Sequence, residues 1–123
     1  MIDDIKTQFT RRKKQLTTDS VRLTNMLTHI VIWKYRAEAT EAEREEHVAR
    51  LRRLPAFIPQ IESFSVGFDV LHLSRSYDLG LVAVFRDRAG LDVYTDHPEH
   101  VLVAVYGRSL TEHIASVDFE SAD

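Results

Sequence analysis

The 123-residue sequence is 44% hydrophobic and carries 19 acidic against 16 basic residues, which suits one globular domain with a single core. It has no cysteine, so disulfides, thiolate catalysis and cysteine-based metal sites are excluded and the cytoplasm is the expected compartment. The net charge of −3 is uneven: residues 1–25 hold six Lys and Arg against three Asp, whereas residues 26–123 hold ten Lys and Arg against sixteen Asp and Glu. The acidic body argues against a nucleic-acid-binding face, which needs clustered positive charge.

No apolar run approaches the roughly 20 residues that cross a bilayer, and the N-terminus lacks the apolar stretch of a signal peptide, so no membrane association is expected. Residues 1–25 have no sustained apolar period and read as an N-terminal arm, with a short helix over 3–16 as one option. Its one basic cluster, Arg11-Arg12-Lys13-Lys14, reads as a solvated arm rather than a lipid or nucleic-acid contact. The patterned domain then occupies 26–120, and 121–123 form a tail.

Thr28 to Tyr35, THIVIWKY, is rich in β-branched and aromatic residues and predicts a strand. His29, Val31, Trp33 and Tyr35 share one face of it, and Ile30 and Ile32 share the other. Two apolar faces predict a strand covered by helices on one side and by a second sheet on the other. Thr40 with Glu43 forms a capping box, and a helix should start there. Val48, Leu51 and Leu54, with His47 beside them, form its inner stripe, and Pro55 is expected to end it in an apolar turn over 54–59.

Two further strands are predicted over Glu62–Leu73 and Tyr77–Phe85, joined by a three-residue hairpin loop, Ser74-Arg75-Ser76. Short helices over 87–94 and 99–108 follow, and a last strand over 114–119. The order β-α-β-β-α-β is that of an α+β, ferredoxin-like sandwich: a four-stranded antiparallel sheet with its helices on one side. Ile30, Ile32, Val82 and Val84 would lie on the uncovered side. Packing two such sheets together is the simplest way to remove them from water, so a homodimer is expected.

The segment Tyr94-Thr95-Asp96-His97-Pro98-Glu99-His100 brings a phenol and two imidazoles together around a proline. Pro98 suits the first turn of a helix and pushes the residue before it towards extended geometry. Tyr94 should therefore end one helix while His100 lies in the first turn of the next. Such a corner either aims both side chains into one cavity or is stapled by a buried Tyr–His hydrogen bond.

HIVIWKY, the capped helix, Gly67-Phe68-Asp69, Ser74-Arg75-Ser76-Tyr77-Asp78-Leu79, the strand ending in Phe85 and above all Tyr94-x-x-His97-Pro98-x-His100 together resemble the stress-responsive A/B barrel (Dabb) family. The resemblance covers residues 26–120 and implies a dimeric α+β barrel closed by two ferredoxin-like sheets. Most members of that family have no established activity. A plant member, olivetolic acid cyclase, closes a linear polyketide by an intramolecular aldol condensation, with a Tyr and a His at the positions matching Tyr94 and His100. A pocket histidine of that cyclase matches His29, and another falls on Leu79, so a cavity in the same place is implied but not the same substrate.

For enolisation next to a carbonyl, a neutral imidazole can take the carbon-bound proton and a phenol can stabilise the enolate oxygen. His100 and Tyr94 are the candidates for those roles, without metal or cofactor. Trp33, His47, Leu51, Leu81 and His97 join His29 as candidate ligand contacts for a small apolar carbonyl compound; their other reading is as ordinary core. His97 suits a supporting role, capping a backbone carbonyl or orienting Tyr94. His29, His47, His97 and His100 come from four elements without a ligand pair at helical spacing, a poor metal set. A non-catalytic dimeric stress or interaction module is the alternative reading. A third is a haem-binding or cofactor-free monooxygenase of the related dimeric α+β barrels, for which the chain offers no haem-specific motif.

Overall fold

In the computed structural model, residues 25–121 are described. The expected arm helix and the basic cluster at 11–14 lie outside them. Four strands, β1 (Met26–Tyr35), β2 (Ile61–Phe68), β3 (Leu79–Phe85) and β4 (Thr111–Ser121), and three helices, α1 (Glu41–Phe57), α2 (Arg88–Asp96) and α3 (Pro98–Leu110), follow in the order β1-α1-β2-β3-α2-α3-β4. All strand pairs are antiparallel in the order β2-β3-β1-β4, which is the ferredoxin-like sheet.

The α1 capping box forms as the sequence predicts: the Glu43 N–H donates to the Thr40 hydroxyl at 3.1 Å, and the Glu43 carboxylate accepts from the Thr40 N–H at 2.9 Å. Pro55, however, does not end this helix, which runs on to Phe57. A proline this close to the terminus forfeits one helical bond, and the Ile58 N–H still donates to the Leu54 carbonyl at 3.0 Å. Leu54 and Ile58, both fully buried, anchor that last turn against the sheet.

The expected hairpin is the larger correction. β2 stops at Phe68, and residues 69–78 form a ten-residue connection in place of three residues. The Asp69 N–H donates to the Asp78 carbonyl at 2.9 Å and closes its neck. Within it the Asp69 carboxylate accepts from the His72 N–H at 2.7 Å, and the Leu73 N–H donates to Ser76 Oγ at 3.0 Å. These side-chain bonds offer the backbone an alternative to the ladder, and they hold His72 in the left-handed region at φ 54°. Val70 and Leu71, which made the segment look like strand, stand in solvent.

Leu27, His29, Val31 and Trp33 of β1 face the helices in register with Phe85, Ala83, Leu81 and Leu79 of β3, and Tyr35 continues the same face. Together with Val48, Leu51, Leu54, Leu91, Tyr94, Val103 and Leu110 they build one core between sheet and helices. The opposite sheet face bears Ile30, Ile32, Val82, Val84, Val117 and Phe119, and no element of the described chain covers it. Val82, Val117 and Phe119 are 40%, 53% and 44% exposed.

Candidate functional site

Asp87 caps α2 by accepting from the Gly90 N–H at 2.9 Å, and this helix carries Tyr94 in its last turn. His97 stands between α2 and α3 with an extended backbone, φ −63° and ψ 132°, as the residue before a proline should. Its Nδ1 accepts from the Glu99 N–H at 3.1 Å, so His97 is a helix cap. It satisfies a backbone donor at the start of α3, not a carbonyl as expected. Pro98 then takes the first helical position, and His100 follows in the first turn.

The corner brings the Tyr94 and His100 rings to 4.2 Å between centroids, tilted by 39°. They touch through their faces, and no hydrogen bond joins them. Instead His100 Nδ1 lies 3.1 Å from the Thr95 carbonyl, an acceptor the broken helix leaves free. A carbonyl can only accept, so Nδ1 carries the proton and the Nε2 lone pair is available. Burial lowers the His100 pKa, with the His29 and His97 rings adding to that and the Thr95 bond opposing it. The ring is therefore neutral at pH 7.

Tyr94 is 2% exposed, and burial raises its pKa well above the usual phenol value. Its hydroxyl has no hydrogen-bond partner among the described residues, yet no side-chain nitrogen or oxygen there is both sealed off and unpartnered. Tyr94 borders free space. That space is a cavity of about 230 Å³ under α3, bounded by His29, Val31 and Trp33 of β1, His47 and Leu51 of α1, and Tyr94 and Thr95 of α2. His100, Val103, Ala104 and Arg108 of α3 and Ile114 and Ser116 of β4 complete it. Larger depressions of about 350 and 340 Å³ lie elsewhere, the first beside Tyr35, Arg44 and Asp69 and the second beside Gln60 and Arg86, and neither reaches Tyr94 or His100.

Of the residues singled out from sequence, Tyr94, His100, His29, Trp33, His47 and Leu51 meet at this cavity. Leu81 and His97 do not line it. Leu81 is packed under the helices in the core, 1% exposed, and the His97 ring turns to its backbone partner. Sequence reasoning missed Asp118 and Arg108. Asp118 is the direct cross-strand neighbour of His29, and its carboxylate pairs with His29 Nδ1. That contact holds Nδ1 of His29, whose ring lines the cavity and stands 5.7 Å from that of Tyr94. The available signal was an inward-facing acid in the alternation Ile114, Ser116, Asp118.

His47 is 1% exposed and sits edge-on to Trp33 at 5.2 Å and to Tyr35 at 5.7 Å. Its Nδ1 is 2.7 Å from the Tyr35 hydroxyl. Burial, helped by the nearby Arg50 charge, pushes its pKa down to about 4, so it too is neutral at pH 7. Among the described residues no three His, Asp or Glu side chains converge as metal ligands, and no helix is long and apolar enough to cross a membrane.

Several solved structures are similar to this chain. A dimeric ferredoxin-like protein of unknown function from Thermobifida fusca YX is 25% identical with a TM-score of 0.73, over 78% of this chain and 91% of that one. A second dimeric ferredoxin-like protein of unknown function, from Jannaschia sp. CCS1, is 28% identical with a TM-score of 0.68, over 77% and 98%. The hydroxynitrile lyase of Passiflora edulis shares the fold at 15% identity and a TM-score of 0.72, over 79% and 94%. No protein of curated function matches the sequence. The model of the Stress responsive A/B Barrel Domain (Dabb) matches residues 27–121, nearly the whole described chain, and the protein belongs to that family.

Proposed function

We propose that this chain forms a homodimer whose cavities promote enolisation, or the aldol-type ring closure that follows it, in a small carbonyl compound. The observation that carries the reading is the locked tautomer of His100 beside a protonated phenol that has no partner among the described residues. His100 Nε2 takes a proton from the carbon next to the carbonyl, and the electron pair moves onto the carbonyl oxygen. The Tyr94 hydroxyl donates to that oxygen as charge develops on it. The enolate carbon can then attack a second carbonyl of the same molecule, and the new alkoxide takes back the proton from His100.

His29, held by Asp118, offers a second oriented imidazole for binding the carbonyl or returning the proton. A volume of about 230 Å³ falls below the range of about 300–1,000 Å³ common for drug-sized ligands, which favours a small compound. The same fold carries a hydroxynitrile lyase in P. edulis, so it is compatible with an enzyme. The homodimer rests on the apolar sheet face, whose exposed Val82, Val117 and Phe119 a second copy would cover, and on the dimeric relatives.

The test is deuterium exchange into the carbons flanking the carbonyl of 2-nonanone, followed by proton NMR. Exchange above the buffer rate is expected for the native protein, loss of about 100-fold or more for His100→Ala, and a smaller loss for Tyr94→Phe. Equal exchange by native protein and His100→Ala would remove His100 as the base.

A further inference from the structure

The cavity has two chemically different ends. His29, Tyr94 and His100 form one, and Trp33, His47, Arg108 and Ile114 form the other. His100 and Arg108 are eight residues apart on α3, so the ends are separated by about 12 Å along the helix axis.

Arg108 brings a permanent positive charge to the second end, and no Asp or Glu lines the cavity to neutralise it. Its side chain has no hydrogen bond or ion pair among the described residues. His47 lines the same cavity and offers a donor of fixed direction. The Tyr35 hydroxyl has one proton, and its partner is His47 Nδ1 at 2.7 Å. Were Nδ1 to donate instead, the buried Tyr35 proton would be left without an acceptor, so Tyr35 donates and the neutral His47 ring carries its hydrogen on Nε2. That Nε2 lies against Gly107, where a Cβ would stand only 2.5 Å away. The glycine leaves room for the ring edge next to Arg108.

We propose that the cavity selects carbonyl compounds bearing a carboxylate at the far end, with Arg108 as the anion contact and the His47 Nε2–H as a second donor to the same group. This rests on the reading of Tyr94 and His100 as the carbonyl end. An exposed guanidinium at the rim of the cavity, with an N–H on the same side, matches the two oxygens of a carboxylate. Val31, Leu51, Val103 and Ala104 between the ends suit a methylene chain.

Trp33 is the only tryptophan of the chain and lines the cavity, so its fluorescence reports occupancy. The probes are 8-oxononanoate, whose extended chain places the carboxylate about 9 Å from the carbonyl, and 2-nonanone, which has the ketone alone. The native protein should bind 8-oxononanoate at least about tenfold more tightly than 2-nonanone. Arg108→Gln should bring that ratio to within about threefold, with Arg108→Lys in between. Equal binding of the two probes, a preference that survives Arg108→Gln, or no saturable response to either would overturn the proposal.

Deuterium exchange in the same samples separates the two readings. Exchange of 2-nonanone without any preference for the acid leaves the acid–base chemistry standing and removes the anion site. A preference without exchange of either probe does the reverse.

Discussion

Gly107→Ala is the substitution for which local propensity and tertiary packing disagree most sharply. In a helix interior alanine is favoured over glycine by about 1 kcal/mol, so propensity alone predicts a more stable protein. Here the added Cβ would lie 2.5 Å from His47 Nε2, 3.1 Å from Cε1 and 3.3 Å from Cδ2. The imidazole would have to retreat by nearly 1 Å to reach ordinary contact. It cannot do so freely, because Trp33 stands edge-on to it and Tyr35 holds Nδ1. Overpacking costs about 1–3 kcal/mol, and breaking the Tyr35–His47 bond in the interior costs another 1–3 kcal/mol. Set against the propensity gain, the variant should be less stable by about 2 kcal/mol, a fall in melting temperature of about 8 °C or more for a domain this size. The assay is urea unfolding at one fixed protein concentration, repeated in a His47→Ala background where the ring is gone. There Gly107→Ala should become neutral or stabilising, giving a coupling energy of about 2–3 kcal/mol between the two positions. A Gly107→Ala protein as stable as the native one, or an effect of the same size in both backgrounds, would refute the packing argument.

His47 also predicts how stability depends on pH. Its pKa is about 4 in the folded chain against about 6.5 unfolded, so the unfolded chain takes up the proton first as pH falls. The stability gained from the neutral ring is complete above pH 6.5 and is lost progressively towards pH 4, by up to about 3 kcal/mol. His47→Phe should flatten the urea midpoint between pH 7 and pH 4.5, and an unchanged slope would rule out this origin. Asp87→Ala removes the α2 cap and should cost about 1 kcal/mol, read by thermal unfolding, with Asp87→Ser recovering most of it. Val117→Asp places a charge in the middle of the apolar sheet face, and sedimentation analysis should show native dimers giving way to monomers. A native protein that sediments as a monomer at micromolar concentration would count against the homodimer.

Much of the architecture was legible in the chain because it depends on short-range physics. The β-branched run of β1, the Thr40–Glu43 box and the proline after His97 each fix their own local geometry, and in combination they give the strand, the helix start and the corner that presents Tyr94 and His100. The segment after Phe68 failed for the same kind of reason. Its apolar residues mimic a strand, while the side chains of Asp69 and Ser76 bond to the backbone and divert it.

The sequence by itself determined the fold class, the corner and the chemical types of the pocket residues. Only the tertiary structure decided which nitrogen of His100 is free, because that follows from the Thr95 carbonyl left open where α2 breaks. It likewise decided that Asp118 orients His29, that Arg108 lines the same cavity, and that Gly107 makes room for His47. The last three depend on strand register or on the approach of one helix to another. Such distances join residues far apart in the chain, and no local pattern encodes them.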